Sequence, residues 1–157
     1  MTTALFPGHF DPISNGQVEL IERASHLFDA VVVAVLEDDA PHRLLPFPER
    51  VRLVQGVVRG MASVQVVSGA AWPALAIQAG ADCVLVGIRH AREVEAIHQE
   101  FYLAHGPSPL EVVALLAAPE YAFITNALIR DVTRLGGDFS PFVPPLVQDA
   151  LTALNLT

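Results

Sequence analysis

Ala4-Leu5-Phe6-Pro7-Gly8-His9-Phe10-Asp11-Pro12-Ile13-Ser14-Asn15-Gly16-Gln17 is the stretch on which the reading of the chain turns. Its apolar start predicts a short buried strand, Pro7 and Gly8 open a loop, and Ser14 with Gln17 three residues later has the capping-box spacing that starts a helix. A loop that leaves a strand and enters a helix N-terminus offers unpaired N–H groups and the positive end of the helix dipole, so phosphate is its natural ligand. An ordinary βα turn fits the same residues, because such units without ligands are common. Spacing by itself leaves both readings open.

Working outward, Val18, Ile21, Ala24, Leu27 and Phe28 recur at helical spacing and predict an amphipathic helix. Ala30 to Leu36 is a continuous, largely β-branched run, typical of a strand buried on both faces. After the polar, proline-containing loop 37–46, Pro48 fits a first helical turn and Val51, Val54 and Val58 carry a helix to Arg59. Ser63 to Val67 predicts a third strand, Trp72 to Ala79 a helix, and Cys83 to Val86 a fourth strand ended by Gly87. A longer helix follows over 91–104, then a turn at 106–109, a fifth strand at Glu111 to Leu116, a helix near Thr125 to Leu135 stopped by Gly136-Gly137, and a final helix from Leu146 to Leu154. The alternation predicts one domain over 1–157: an α/β, doubly wound, Rossmann-like five-stranded parallel sheet with helices on both faces.

Composition narrows the function. With 157 residues, 52% of them hydrophobic, the chain can build a core without disulfides, and its single cysteine, Cys83, sits in a strand pattern as core. No apolar run approaches the ~20 residues of a membrane span. No basic segment followed by an apolar stretch opens the sequence, so the expected location is cytoplasmic. A net charge of -8 argues against nucleic-acid binding while leaving room for a small anion at a cleft where a few cations gather. All 9 basic residues are arginines. His26, His90, His98 and His105 show no ligand spacing, so no protein metal site is expected.

The segment Pro7-Gly8-x-Phe10-Asp11-Pro12-x-Ser14-Asn15-Gly16 resembles the signature loop of the phosphopantetheine adenylyltransferases, nucleotidyltransferases with a (T/H)xGH motif, and the likeness runs almost end to end. It implies transfer of AMP from ATP to 4'-phosphopantetheine, giving dephospho-coenzyme A and pyrophosphate, with Mg²⁺ assisting and a hexamer as the assembly. It further implies ATP contacts from Phe10 and Gln17, from Gly87, Ile88 and Arg89, which match the family's Gly-Leu-Arg segment, and from Tyr121, Phe123, Ile124, Thr125, Asn126 and Ala127. Arg130 matches the basic residue that closes this last segment, and Trp72 falls in the loop that lines the pantetheine arm.

The departures are polar. Gln17 replaces the family's histidine, and His9 stands where a substrate-binding hydroxyl is usual. Pro41 replaces a lysine, beside His42 and Arg43; Val86 replaces an arginine and Ile97 a glutamate. Three lost donors at ~10² to 10³ in rate each would erase useful turnover unless something compensates. The candidates are His9, Gln17 and Arg89 for catalysis, and His9, His42, Arg43 and Trp72 for the acceptor. Gln17 can donate to a phosphate or simply complete the helix cap. The expectation is an adenylyltransferase of coenzyme A biosynthesis; the alternatives are a binding paralogue without turnover and a nucleotidyltransferase for another phosphorylated acceptor.

Overall fold

The computed structural model describes residues 1–38, 40–103 and 110–155. Five strands, β1 (Thr3–Gly8), β2 (Ala30–Leu36), β3 (Val64–Gly69), β4 (Cys83–Ile88) and β5 (Glu111–Leu116), form one parallel sheet in the order β3-β2-β1-β4-β5. Between and after them come α1 (Asn15–Leu27), α2 (Phe47–Val58), α3 (Trp72–Ala79), α4 (Glu93–His98), α5 (Asn126–Arg134) and α6 (Pro145–Asn155). This is the doubly wound arrangement predicted from the alternation of patterns. The turn expected at 106–109 and His105 lie outside the described residues.

Period-two alternation sends the strands' side chains into two cores. Ala4, Phe6, Val31, Val33, Val35, Cys83 and Leu85 meet Ile21, Ala24, Leu53, Val54, Ile129, Val147 and Leu151 of α1, α2, α5 and α6. Leu5, Val32, Ala34, Val84 and Val86 face the other way, onto Trp72, Leu75 and Ala76 of α3 and onto Phe101. Cys83 is a buried free thiol, as its strand pattern predicts.

The sheet opens where β1 and β4 part. β1 pairs with β2 as far as Gly8↔Val35, but with β4 only at Ala4↔Cys83 and Leu5↔Val84. The Ala30 N–H donates to the Thr2 carbonyl (3.2 Å) and the Asp82 N–H to the Thr3 carbonyl (2.8 Å), so even residues of β1 face β2 and odd ones face β4. Pro7, which has no N–H, therefore faces β4, on the side where the ladder ends. This is also the point at which the strand order reverses, where open α/β sheets place ligands.

One predicted helix divides. Residues 91–104 form α4 only over Glu93–His98, followed by a π-helical turn at Gln99–Leu103. The Glu93 side chain turns back to accept from the Arg89 and His90 N–H groups, which delays the helix start. No helix among the described residues is long and apolar enough to cross a membrane.

Candidate active site

The loop after β1 is held in a shape its sequence would not adopt unaided. Phe10 has a left-handed φ of 50°, a conformation that costs an aromatic residue about 1–3 kcal/mol. Its ring is buried, edge-on to Phe6 with centroids 5.8 Å apart, and burial of such a side chain offsets about 1.5–3 kcal/mol. Gly8 leaves room beneath it: a Cβ there would stand 3.1 Å from the Phe10 ring, a tight contact. The wholly buried Asp11 carboxylate accepts from the Leu44 (2.9 Å) and Leu45 (2.8 Å) N–H groups, tying the loop to the segment before α2.

Arg50, on α2, is also wholly buried and donates to three carbonyls: His9 (2.5 Å), Leu36 (3.0 Å) and Asp38 (2.9 Å). It pins the loop after β1 to the end of β2. Sequence reasoning missed it, although Leu53 and Val54 at i+3 and i+4 place Arg50 on the apolar stripe of α2, a signal that was available.

Above the parting of β1 and β4 lies a cavity of about 470 Å³, within the range of small-molecule sites. Phe6 and Pro7 from β1 and Val86 and Gly87 from β4 form its floor. Gly87 is constrained here, because a Cβ would come within 2.5 Å of Leu20 of α1. His9, Phe10, Ser14, Gly16 and Gln17 line one side; Tyr121, Ile124, Thr125 and Asn126 line another; Arg43, Arg89, Ile97, Glu100 and Phe101 complete the wall.

Two helix N-termini contribute to this wall. In α1 the capping box is complete: Ser14 Oγ accepts from the Gln17 N–H (3.3 Å) and Gln17 Oε1 from the Ser14 N–H (3.0 Å). In α5 Thr125 Oγ1 accepts from the Leu128 N–H (3.0 Å). Gly16 brings the two together, since its position would set a Cβ 3.2 Å from Cβ of Tyr121. Among the described residues the N–H groups of Gly16 and Asn126 have no protein acceptor. Unused donors and two aligned dipoles at one cavity favour an anion.

The cavity's cations are paired. Arg43 donates to Asp38, through Nε at 3.0 Å and through a closer Nη2 contact. Arg89 donates to Glu93 Oε1 through Nη2 (2.6 Å) and Nε (3.0 Å), and to the Ile124 carbonyl (3.4 Å). Burial would raise the Glu93 carboxyl, but the hydrogen bonds from the Arg89 and His90 N–H groups and the Arg89 guanidinium outweigh it and hold it low. The Arg43 hydrogen bond likewise lowers Asp38. His9 Nδ1 stands 3.9 Å from Asp38 Oδ2, beyond hydrogen-bond range. Burial first, and then the Arg43 charge, lower the His9 imidazole below its ordinary range, against the pulls of Asp38 and the Leu36 carbonyl.

Most of the residues expected from sequence thus share one cavity: His9, Phe10, Gln17, Arg43, Gly87, Arg89, Tyr121, Ile124, Thr125 and Asn126. Six do not line it. Trp72 is buried in the core, its ring 5.1 Å from that of Phe101, so it backs the wall residue and does not reach the cavity. His42 is exposed, its carbonyl accepting from Arg134 (3.1 Å). Phe123 is exposed against Phe142, Ala127 is exposed, and the Ile88 carbonyl is taken by the Ala117 N–H (2.8 Å). Arg130 is likewise absent from the wall. Val86 and Ile97 do line it, so the departures at those positions leave apolar surface inside the cavity. Asp38, Glu93 and Glu100 were not singled out as site residues; for Asp38 and Glu93, the pairing with Arg43 and Arg89 is set by how the loops fold.

Among the described residues no three His, Cys, Asp or Glu side chains gather as a metal cage.

The comparisons agree with this geometry. The cytidylyltransferase-like family model matches residues 5–132. A Vibrio parahaemolyticus structure provisionally assigned as a nicotinate-nucleotide adenylyltransferase is similar at a TM-score of 0.70 with 23% identity, over 99% of this chain and 95% of that one. Plasmodium falciparum nicotinic acid mononucleotide adenylyltransferase, complexed with NaAD, is similar at 0.70 with 12% identity, over 99% and 96%. A sheet that opens at its switch point beneath two helix N-termini, matched over most of its length by that model, places the chain in the cytidylyltransferase-like family of nucleotidyltransferases.

Proposed function

We propose that the protein is an adenylyltransferase that joins the AMP part of ATP to a phosphate monoester, with 4'-phosphopantetheine as the acceptor. One observation carries the reading: His9, Gln17 and Arg89 meet the N-termini of α1 and α5 around one cavity at the sheet's switch point. An acceptor phosphate oxygen attacks the α-phosphorus, the bond to the β-phosphate oxygen breaks, and pyrophosphate leaves. The acceptor is already a nucleophile, so the protein's work is alignment and stabilisation of negative charge. His9 and the NH₂ group of Gln17 donate to the α-phosphate oxygens, and Arg89 to the phosphate chain. Thr125, Asn126 and the N-terminus of α5 hold the outer phosphates, Tyr121 and Ile124 flank the adenine, and Arg43 serves the acceptor phosphate. Mg²⁺ supplies neutralisation of the phosphate chain when it enters with the nucleotide.

Nicotinate mononucleotide is the second acceptor to consider. It is favoured by the nicotinate-type adenylyltransferase assignments of the two similar structures and by the apolar Val86 in the cavity floor, where the phosphopantetheine adenylyltransferases have an arginine. Pyrophosphate release with ATP, Mg²⁺ and each acceptor in turn tests both. Release with 4'-phosphopantetheine alone supports the first reading, release with nicotinate mononucleotide alone transfers support to the second, and nucleotide binding without release from either leaves a binding paralogue.

A further inference from the structure

Among the described residues the cavity wall carries two guanidinium groups, and each is held by a carboxylate of its own chain. The pair at Arg43 is the more consequential, because its carboxylate also faces His9. Asp38 is fixed from three directions. Its carbonyl accepts from the buried Arg50 (2.9 Å), its Oδ1 from the Ala40 N–H (2.9 Å), and its Oδ2 from Arg43 Nε (3.0 Å). That same Oδ2 stands 3.9 Å from His9 Nδ1. One carboxylate oxygen therefore confronts two groups of the cavity wall, and a phosphate arriving at Arg43 meets a cation already occupied.

We propose that Asp38 is a positioning residue of the phosphate site: it holds Arg43 beside His9 in the ligand-free protein, and an incoming phosphate group competes with it for the guanidinium. The inference rests on reading the cavity as a phosphate site. It gives the Asp38 carboxylate a measurable role, since its removal frees Arg43 for the ligand, whereas loss of a merely structural side chain brings no gain in affinity.

The test is isothermal titration of the full chain with inorganic phosphate, the simplest mimic of the acceptor phosphate placed at Arg43, at low salt. Asp38→Asn tightens binding about fivefold, the scale of one partly exposed ion pair. Arg43→Ala weakens it, and the double variant behaves as Arg43→Ala, because without the guanidinium there is nothing left to compete for. Asp38→Ser, whose hydroxyl still accepts from the Ala40 N–H, tightens binding similarly and keeps the test open if Asp38→Asn misfolds. Unchanged or weaker binding in both Asp38 variants overturns the proposal while leaving the phosphate site standing. Tightening that persists in the Arg43→Ala background also overturns it. Failure of every protein, wild type included, to bind inorganic phosphate removes the phosphate site at Arg43 and the proposal together.

Discussion

Arg50 and His9 show how much of this site is decided by single residues on facing segments. Arg50 is wholly buried with its charge spread over three carbonyls, so Arg50→Met strips three acceptors of their donor at once. The expected cost is about 3 kcal/mol or more, read as a fall in the urea midpoint at constant m-value, with Arg50→Lys recovering only part. His9 gives a pH signature. Its folded-state proton affinity lies below the ordinary histidine value of 6.5, so the unfolded chain binds more protons and protonation favours unfolding. The stabilisation is complete above pH 6.5 and is lost as pH falls from there through the lower folded value. Thermal melting from pH 8 to 5 checks this: His9→Gln loses less stability over that fall than wild type does. The helix start that closes the loop after β1 was legible in the sequence, in the Ser14–Gln17 spacing. Asp38 and Arg50 were not, because their partners are 5 and 12 to 41 residues away and only folding brings them together.

At the scale of elements, the N-terminus of α1 combines a structural and a chemical role in one side chain. Gln17 spends its amide oxygen on the capping box, and the NH₂ of the same amide is the group available to donate. Gln17→Glu separates the two: glutamate still accepts from the Ser14 N–H, so the melting temperature holds, while the lost donor and added charge lower kcat by about 10² or more. Equal turnover in that variant would assign Gln17 to the cap alone. Ser14→Ala, by contrast, costs about 1 kcal/mol of stability. Strand and helix identities were legible here because their periodicities are strong, and α3 begins and ends where its sequence pattern does. The late start of α4 at Glu93 was not, since the Glu93 side chain turns back to accept from the Arg89 and His90 N–H groups. The parting of β1 from β4 was half legible: Pro7 announces a missing donor, but which neighbour it faces follows only from strand order and register.

At the scale of the whole molecule, a chain of net charge -8 concentrates Arg43, Arg89 and two helix N-termini at the one edge where its sheet divides. Asp38 and Glu93 neutralise both guanidinium groups in the free protein, so the helix N-termini are the positive ends that meet a phosphate ligand, and added salt weakens its binding. Large apolar side chains such as Ile77 (83% exposed) and Leu135 (86%) remain outside both cores. With the hexamer implied by family resemblance, the predicted result of sedimentation is a single species well above 16.8 kDa. The central claim is that adenylyl transfer occurs in the switch-point cavity with His9 as a donor. Pyrophosphate release from ATP and acceptor, measured for wild type and His9→Ala side by side, tests it most directly. The account predicts turnover in wild type and a loss of about 10² to 10³ in His9→Ala with ATP binding retained. Wild-type protein that binds ATP yet releases no pyrophosphate with either acceptor, or a His9→Ala variant as fast as wild type, would contradict it.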